Sequence, residues 1–230
     1  MITPDPDLSA PLGLEVGDFH LSPLAQADAA DVLAQFSDPE VVRFMDIEPL
    51  NSIDDAHAVI QWALDLRAMG AGVRWGVRGG RGGAWVGTCG FNRIVLERGR
   101  RGEVAFDLAS AWQGRGVMKA ILPALIAFGF ERLGLQRLEA LVTPGNQRSC
   151  HVLERAGFRR EGVLGDYAYW DGRYWDQILF GLTRDREAAT LGTDQTVGRS
   201  PSSSQEGGGG KSGLHGDKAA GNARRGRPQG

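Results

Sequence analysis

The 230-residue chain is 42% hydrophobic and 23% charged, a composition that fits one large or two small globular domains. Residues 191–230 carry six basic and three acidic residues, which leaves the first 190 residues at −5 within a total of −2. An acidic body argues against binding to nucleic acid. Residues 1–13 lack a leader pattern, and no run of about 18 apolar residues occurs, so we expect neither secretion nor a membrane span.

The distribution of cysteine and glycine bears on location and domain limits. The two cysteines, Cys89 and Cys150, form neither a C-x-x-C pair nor a disulfide framework, which favours the cytoplasm and argues against a structural zinc site. Residues 191–230 hold 11 of the 34 glycines and no aromatic residue. We therefore predict a flexible segment over 1–13, one folded domain over 14–185 and a disordered Gly/Ser/Arg-rich tail over 186–230.

The first part of the chain predicts a strand and two helices. The run Leu14–Leu21 is typical of a strand. Ser22 and Pro23 then predict the N-cap and first position of a helix that ends near residue 36. Ser52 marks the start of a second, amphipathic helix that reaches residue 70.

After residue 73 the apolar period becomes that of strands. Three short runs in succession predict an antiparallel meander: Arg74–Arg78, Ala84–Asn92 and Glu103–Leu108. The elements predicted next are a helix over Val117–Leu133, a strand over Arg137–Thr143, a helix over Gln147–Ala156 and strands over Leu164–Tyr169 and Trp175–Leu182. Residues 103–143 thus form a strand, helix, strand unit, and the fold class is α+β with a mixed sheet. Pro123 should kink the long helix.

A glycine-rich turn lies where the third strand of the meander gives way to the long helix. Gly114 and Gly116 allow positive φ and close approach of a ligand to the backbone. The N–H groups and dipole at a helix start suit an anion such as a pyrophosphate. An ordinary tight turn has the same spacing, and the sequence is neither a Rossmann fingerprint nor a P-loop. The turn by itself leaves both interpretations open.

Further motifs occur with this turn in a fixed order along residues 14–183. They are the Asp38–Met45 run, Glu103 at a strand start, Gln113–Gly116, Pro144-Gly145-Asn146 with Ser149, Glu154–Phe158, Glu161-Gly162 and Asp176. In this combination the chain resembles the GNAT family of acetyl-CoA-dependent N-acetyltransferases, in particular its branch of ribosomal-protein-alanine acetyltransferases. The resemblance implies a central, mostly antiparallel mixed sheet flanked by helices.

The resemblance also implies a site for acetyl-CoA as cosubstrate, with no metal. The family's pyrophosphate loop corresponds to Gln113, Gly114, Arg115, Gly116, Val117 and Met118. The strand from Phe106 to Leu108 would offer backbone groups to the pantetheine arm, which extends a sheet as a peptide strand does. Asn146 matches an asparagine that hydrogen-bonds the same arm. Its alternative role is the N-cap of the following helix.

For the general base, the resemblance points to Glu103, which matches the family's strand glutamate. The alternative is an exposed strand carboxylate paired with Arg100 or Arg101. Asp107 lies on the same face of a period-two strand and is the second candidate, either as a functional group or as a buried acid. The family usually has an aromatic or apolar residue at that position.

The proton donor differs from the family's usual tyrosine, because Leu153 stands at the matching position. The serine of the ribosomal branch corresponds to Ser149, whose alternative role is a hydrogen bond within the first helical turn. Tyr167 and Tyr169 are further candidates. Without the usual donor, a non-catalytic acyl-CoA-binding module is the alternative function, and a structural domain that binds no CoA is a third.

The acceptor should be a primary amine, either a protein N-terminal α-amine or a small amine. It would enter between the early helices and the late strands, past the loop Val41–Ile53 and the stretch Tyr167–Trp175. Acidic residues in these regions favour a cationic amine. We expect no nucleic-acid or membrane partner for the body, and no oligomeric state follows from the sequence.

Overall fold

The computed structural model describes residue 8 and residues 12–80, 82–97 and 99–185. The predicted tail over 186–230 and most of the predicted N-terminal segment lie outside these residues. Leu8 and Leu12 are described, and both are buried. The indole Nε1 of Trp75 donates a hydrogen bond of 2.6 Å to the Leu12 carbonyl, which fixes this end of the chain against the sheet.

The described residues form one eight-stranded mixed sheet with five α-helices. The strands are β1 (Leu14–Val16), β2 (Phe19–Pro23), β3 (Val73–Gly79), β4 (Ala84–Val95), β5 (Arg101–Leu108), β6 (Arg137–Val142), β7 (Arg159–Trp170) and β8 (Arg173–Thr183). The helices are α1 (Ala29–Phe36), α2 (Pro39–Val42), α3 (Ile53–Ala68), α4 (Val117–Ala127) and α5 (Gln147–Arg155). The strand order is β1-β2-β3-β4-β5-β6-β8-β7.

The sheet topology confirms the predicted fold class. Strands β3, β4 and β5 form the antiparallel meander, and β5–α4–β6 is the strand, helix, strand unit. Among the strand pairs of the described residues, β5–β6 alone is parallel. The late strands β7 and β8 extend beyond the predicted runs and form a long hairpin.

The N-terminal prediction was wrong in two details. The predicted single strand is a hairpin, because the chain turns around Gly17 (φ +58°) and β2 then pairs back on β1. Ser22 and Pro23 belong to β2, opposite Gly76 and Trp75, instead of starting a helix. The helical turn begins after residue 25, where the Asp28 carboxylate accepts the Ala25 N–H at 2.9 Å. Proline is tolerated here because β1 pairs with β2 only over Phe19–Leu21, so that Pro23 has a strand partner among the described residues on one side alone.

The start of α3 is as predicted. The Ser52 hydroxyl accepts the Asp55 N–H at 3.2 Å, and the Asp55 carboxylate accepts the Ser52 N–H at 2.9 Å. This reciprocal pair is a capping box, which satisfies two backbone donors at the helix start.

The predicted long helix has two parts. α4 runs as an α-helix through Pro123 to Ala127, and the segment Phe128–Arg132 continues as a π-helical turn. Aromatic packing accompanies this turn, since the Phe128 ring lies edge-on to Trp75 at 5.1 Å between centroids. The main core lies between α4 and the sheet, and a second apolar cluster joins α1, α2 and α3.

Strands β5 and β6 diverge, and this divergence positions the site. β5 pairs with β4 over Arg101–Leu108 but with β6 only over Arg101–Glu103. Beyond Glu103, the edge of β5 that faces β6 has no strand partner among the described residues. The gap leaves backbone hydrogen-bonding groups of β5 available to a ligand.

Candidate active site

A cavity of about 660 Å³ lies at the gap between β5 and β6. Four of the predicted site residues line it: Glu103, Phe106, Asn146 and Ser149. The other predicted residues, Leu108 and Gln113–Met118, are not in its lining. Further walls come from the loop between α2 and α3, from α3 and from β7, with Phe44, Met45, Asp46, Ile47, Trp62, Tyr167 and Trp170.

Glu103 lies at the end of the β5–β6 pairing and is half-buried. Burial raises the pKa of its carboxyl above the usual value, the charge of Arg93 acts to lower it, and the carboxylates of Glu139 and Asp46 raise it. The alternative pairing with Arg100 or Arg101 does not occur. Arg100 donates to the Gly134 carbonyl at 2.7 Å, and Arg101 lies 3.6 Å from Glu139. A carboxylate with a raised pKa and no ion pair in the described part of the chain is equipped to accept a proton.

Asp107 also lines the cavity, but its carboxylate is held in a buried network. It forms an ion pair of 2.6 Å with Arg74 and accepts hydrogen bonds from the Thr88 hydroxyl at 2.8 Å and the Gln35 amide at 2.6 Å. Arg74 also donates to the Asn92 side chain at 3.0 Å, next to a bulge in β4. These contacts explain how the sheet accommodates a buried acid at this position.

Asn146 and Ser149 lie in the first turn of α5. The Asn146 Oδ1 accepts the Ser149 N–H at 3.1 Å, so Asn146 is the N-cap. Its amide nitrogen makes no hydrogen bond to any residue that the structure describes. The Ser149 hydroxyl makes no hydrogen bond to any residue that the structure describes, and therefore is not engaged within its helical turn. Leu153, one turn later, is fully buried and adds an apolar wall.

The two tyrosine candidates differ in position. Tyr167 lines the cavity, although half of its side chain is exposed. Tyr169 is not in the lining, and its ring contacts Tyr174 at 4.9 Å between centroids. The geometry therefore retains Tyr167 and Ser149 as groups that can reach a ligand in the cavity.

The glycine turn is an exposed loop at the start of α4. Gly114 and Gly116 have φ of +73° and +76°, and a Cβ at either position would meet nothing within 4 Å. No side chain of the described residues caps the first turn of α4. Gln113 connects the turn to its surroundings, because its side chain donates to the Leu108 carbonyl at 3.1 Å and accepts from Arg148 at 2.9 Å. Free N–H groups at an open helix start are suited to an anion.

Other residues of the site had no local sequence signal that identified them. Trp62 lies on α3, and Gln177 on β8 donates to the Thr143 hydroxyl at 3.1 Å. The same hydroxyl donates to the Phe44 carbonyl at 3.0 Å and so connects β6 to the loop after α2. The Asp38–Met45 motif indicated this loop, but the partners come from distant parts of the chain.

The described residues contain no group of three or more His, Cys, Asp or Glu side chains placed to hold a metal ion. None of the helices in the described ranges combines the length and apolar character required to cross a membrane.

The eight-stranded mixed sheet flanked by helices is the fold of the GNAT acetyltransferases. The chain belongs to the acetyltransferase (GNAT) domain family, whose model matches residues 18–159. It is therefore an N-acetyltransferase, a class that acetylates amines.

Relatives support the assignment at different levels. An uncharacterized N-acetyltransferase, p20, of Bacillus licheniformis is 38% identical over 160 residues, 69% of this chain and 89% of the relative. The [ribosomal protein uS5]-alanine N-acetyltransferase of Escherichia coli is 32% identical over 98 residues, 43% of this chain and 50% of the relative. RimJ of Mycobacterium smegmatis, solved with CoA-disulfide, is 21% identical with a TM-score of 0.70. The match covers 83% of this chain and 98% of RimJ. The RimJ comparison shows the fold alone.

Proposed function

We propose that this enzyme transfers an acetyl group from acetyl-CoA to a primary amine by direct attack, with Glu103 as the general base. The observation that carries the proposal is the Glu103 carboxylate, which lines the cavity with a raised pKa and without an ion pair in the described part of the chain. The Escherichia coli relative supports a protein N-terminal α-amine as the acceptor, and a small amine is the alternative. Two buried, unpaired cysteines fit a cytoplasmic setting.

The residues present fit acetyl-CoA. The free edge of β5 from Val104 to Leu108 offers peptide groups to an amide-containing arm, as an added strand would use them. The uncapped helix start at Gly116 offers N–H groups to a pyrophosphate. When bound, the cosubstrate supplies an acetyl group that is activated as a thioester.

The chain's own groups supply acid–base chemistry and positioning. Glu103 takes a proton from the acceptor ammonium, so that the nitrogen lone pair becomes free to attack. Ser149 passes a proton to the sulfur: its O–H bond breaks as the S–H bond forms, and the hydroxyl is restored by the second proton that the acceptor nitrogen loses on acylation. Ser149 lines the cavity, and its hydroxyl makes no hydrogen bond to any residue that the structure describes. The Asn146 amide nitrogen orients the ligand from the same turn, while its oxygen caps α5.

A non-catalytic acyl-CoA-binding module is the second candidate function. Leu153 favours it, since a fully buried leucine stands where the family usually has a proton-donating tyrosine. The two functions differ in one observable, which is the release of free thiol from acetyl-CoA in the presence of an amine.

Calorimetric titration of the full chain with acetyl-CoA is the first test. We expect saturable binding, and we expect it to be lost when Gly114 and Gly116 are both replaced by valine. The matched control is Gly80→Val with Gly83→Val, because these glycines also have positive φ, +70° and +61°, and no neighbour within 4 Å of a Cβ. Absence of binding by the folded wild type would refute both candidate functions.

Thiol release with a panel of amines is the second test. The panel contains a peptide with an N-terminal alanine, the same peptide with a blocked N-terminus, and alkylamines. Acetylation that requires a free amine and is lost in Glu103→Gln supports the enzyme. Binding of acetyl-CoA without transfer to any amine supports the module instead.

A further inference from the structure

A row of three charged residues crosses neighbouring strands of the sheet. Arg93 on β4 lies opposite Glu103 on β5, and Glu103 lies opposite Glu139 on β6. Residues directly opposite one another on paired strands point to the same face, and the charges of Arg93 and Glu139 both act on the Glu103 carboxyl. The Glu103 carboxylate therefore lies between a cation and an anion.

This row lies in a second, smaller cavity of about 170 Å³. Arg93, Glu103 and Glu139 all line it. Glu103 also lines the large cavity, together with Leu141 and Tyr167, which are shared in the same way. Glu103 is thus a boundary group that is accessible from both cavities.

The two neighbours of Glu103 are held differently. Glu139 is fixed by Arg137, whose Nε donates at 2.7 Å, and by Arg101 at 3.6 Å. Arg137 is fixed in turn, because its Nη1 donates to Glu161 at 3.0 Å. Arg93 is exposed and makes no ion pair with any residue that the structure describes. The anion is therefore a rigid part of the sheet, whereas the cation borders solvent.

We propose that the proton taken up by Glu103 leaves through the smaller cavity, and that Glu139 and Arg93 are positioning residues that act on acetyl transfer through Glu103. This inference rests on the proposed function. The amine N–H bond breaks as the Glu103 O–H bond forms, and that O–H bond then breaks as water in the smaller cavity takes the proton. The carboxylate is restored, and one proton reaches solvent for each amine acetylated, in addition to the proton supplied to the sulfur.

The charges around Glu103 predict the direction in which each substitution shifts the pKa of its carboxyl. Glu139 and Asp46 favour the protonated form of Glu103, and Arg93 favours the carboxylate. The other charged or titratable groups that face it are Arg101 and Tyr167 in the smaller cavity and the paired Arg74 and Asp107 in the larger one. Loss of the Glu139 charge should therefore lower the pKa of Glu103, and loss of the Arg93 charge should raise it.

A carbon-13 NMR titration of the full chain, labelled at glutamate side-chain carboxyls, measures this directly. The Glu103 signal is assigned by its absence in Glu103→Gln. We expect its midpoint to move to lower pH in Glu139→Gln and to higher pH in Arg93→Gln. Midpoints that stay unchanged, or that move in the same direction, would overturn the positioning roles. The titration requires neither cosubstrate nor acceptor, so its outcome is separate from that of the proposed function.

The exit route is tested by narrowing the smaller cavity. Leu164→Trp does so from β7 at a residue that does not line the large cavity. Val163→Trp is the matched control, because Val163 is the adjacent residue, 49% exposed, and lines neither cavity. With an N-terminal alanine peptide as acceptor, we expect kcat to fall about tenfold in Leu164→Trp alone, with KM for acetyl-CoA unchanged. Equal rates in the two variants would refute the route, and a wild type that acetylates no amine would refute the proposed function and this inference together.

Discussion

Arg74 and Asp107 form an ion pair of 2.6 Å that joins β3 to β5 across β4, with both side chains less than a tenth exposed. The Thr88 hydroxyl and the Gln35 amide complete the coordination of the carboxylate. The pair lies in the wall of the large cavity, so it supports the site without being free to take part in proton transfer.

Removal of one partner of this pair should strongly destabilise the fold. Asp107→Ala leaves the Arg74 guanidinium buried without its counter-ion, and we expect a loss of about 3–5 kcal/mol in the free energy of unfolding. Chemical denaturation measures the loss. The double variant Arg74→Met with Asp107→Leu should recover much of it, and a double variant less stable than the single one would contradict this account.

Glu103→Gln should increase stability at neutral pH. Burial raises the pKa of Glu103 in the folded state, so the carboxylate form costs free energy once the pH exceeds the unfolded-state pKa. Glutamine avoids this cost. The advantage of the variant should be largest at neutral pH and vanish as the pH falls below the unfolded-state pKa of a glutamate.

Denaturant unfolding of wild type and Glu103→Gln at a series of pH values measures this difference. Glu131→Gln is the control, because Glu131 is exposed and its substitution removes the same charge elsewhere. If the difference in unfolding free energy between the two proteins does not change with pH, burial of the charged Glu103 carboxylate does not destabilise the fold.

Two substitutions separate the roles of Asn146. Asn146→Asp keeps an oxygen that accepts the Ser149 N–H, whereas Asn146→Ala removes the cap and should cost about 1 kcal/mol of stability. Both lose the amide N–H donor. We expect both variants to bind acetyl-CoA more weakly, as measured by calorimetry, with only the alanine variant less stable. Unchanged affinity in Asn146→Asp would assign Asn146 to the cap alone.

Ser149→Ala and Tyr167→Phe distinguish the two proton donors that line the cavity. Ser149→Ala should lower kcat, with little change in KM for acetyl-CoA, because it removes a group that acts on the departing sulfur. Tyr167→Phe should leave kcat close to wild type. If Tyr167→Phe lowers kcat and Ser149→Ala does not, the proton donor is Tyr167 on β7. If both variants have equally small effects, the thiolate leaves without a proton donor.

Local signals predicted local structure. The capping box at Ser52 and Asp55, the strand runs of the meander and the helix start at Gly116 each depend on residues a few positions apart. The hairpin of β1 and β2 was missed because the runs that flank its turn are short, although Gly17-Asp18 between them is a two-residue hairpin signal. The π-helical turn after Ala127 was missed because it depends on packing against the sheet, which periodicity does not report.

Part of the candidate site was predicted, because that part depends on residues that are close together in the sequence. Glu103, Asn146 and Ser149 follow motifs that are continuous in sequence, and all three line the cavity. The Arg74–Asp107 pair joins residues 33 positions apart, and the alignment of Arg93 with Glu103 depends on a bulge in β4 between Phe91 and Arg93. A bulge shifts the register and changes which residues meet, and a single sequence does not reveal such a shift.

The short contact between β5 and β6 has a consequence for the behaviour of the whole sheet. Among the described residues, strand pairing joins β1–β5 to β6–β8 only where Arg101–Glu103 lies beside Arg137–Glu139. This pairing is three residues long, and Glu103, the proposed base, is its last residue on β5. A ligand that pairs with Val104–Leu108 would extend the hydrogen bonding along the edge of β5. Protection of the β5 amides from hydrogen exchange should therefore rise with the fraction of the protein that has ligand bound. Binding of a ligand along β5 should therefore hold the two parts of the sheet together more firmly.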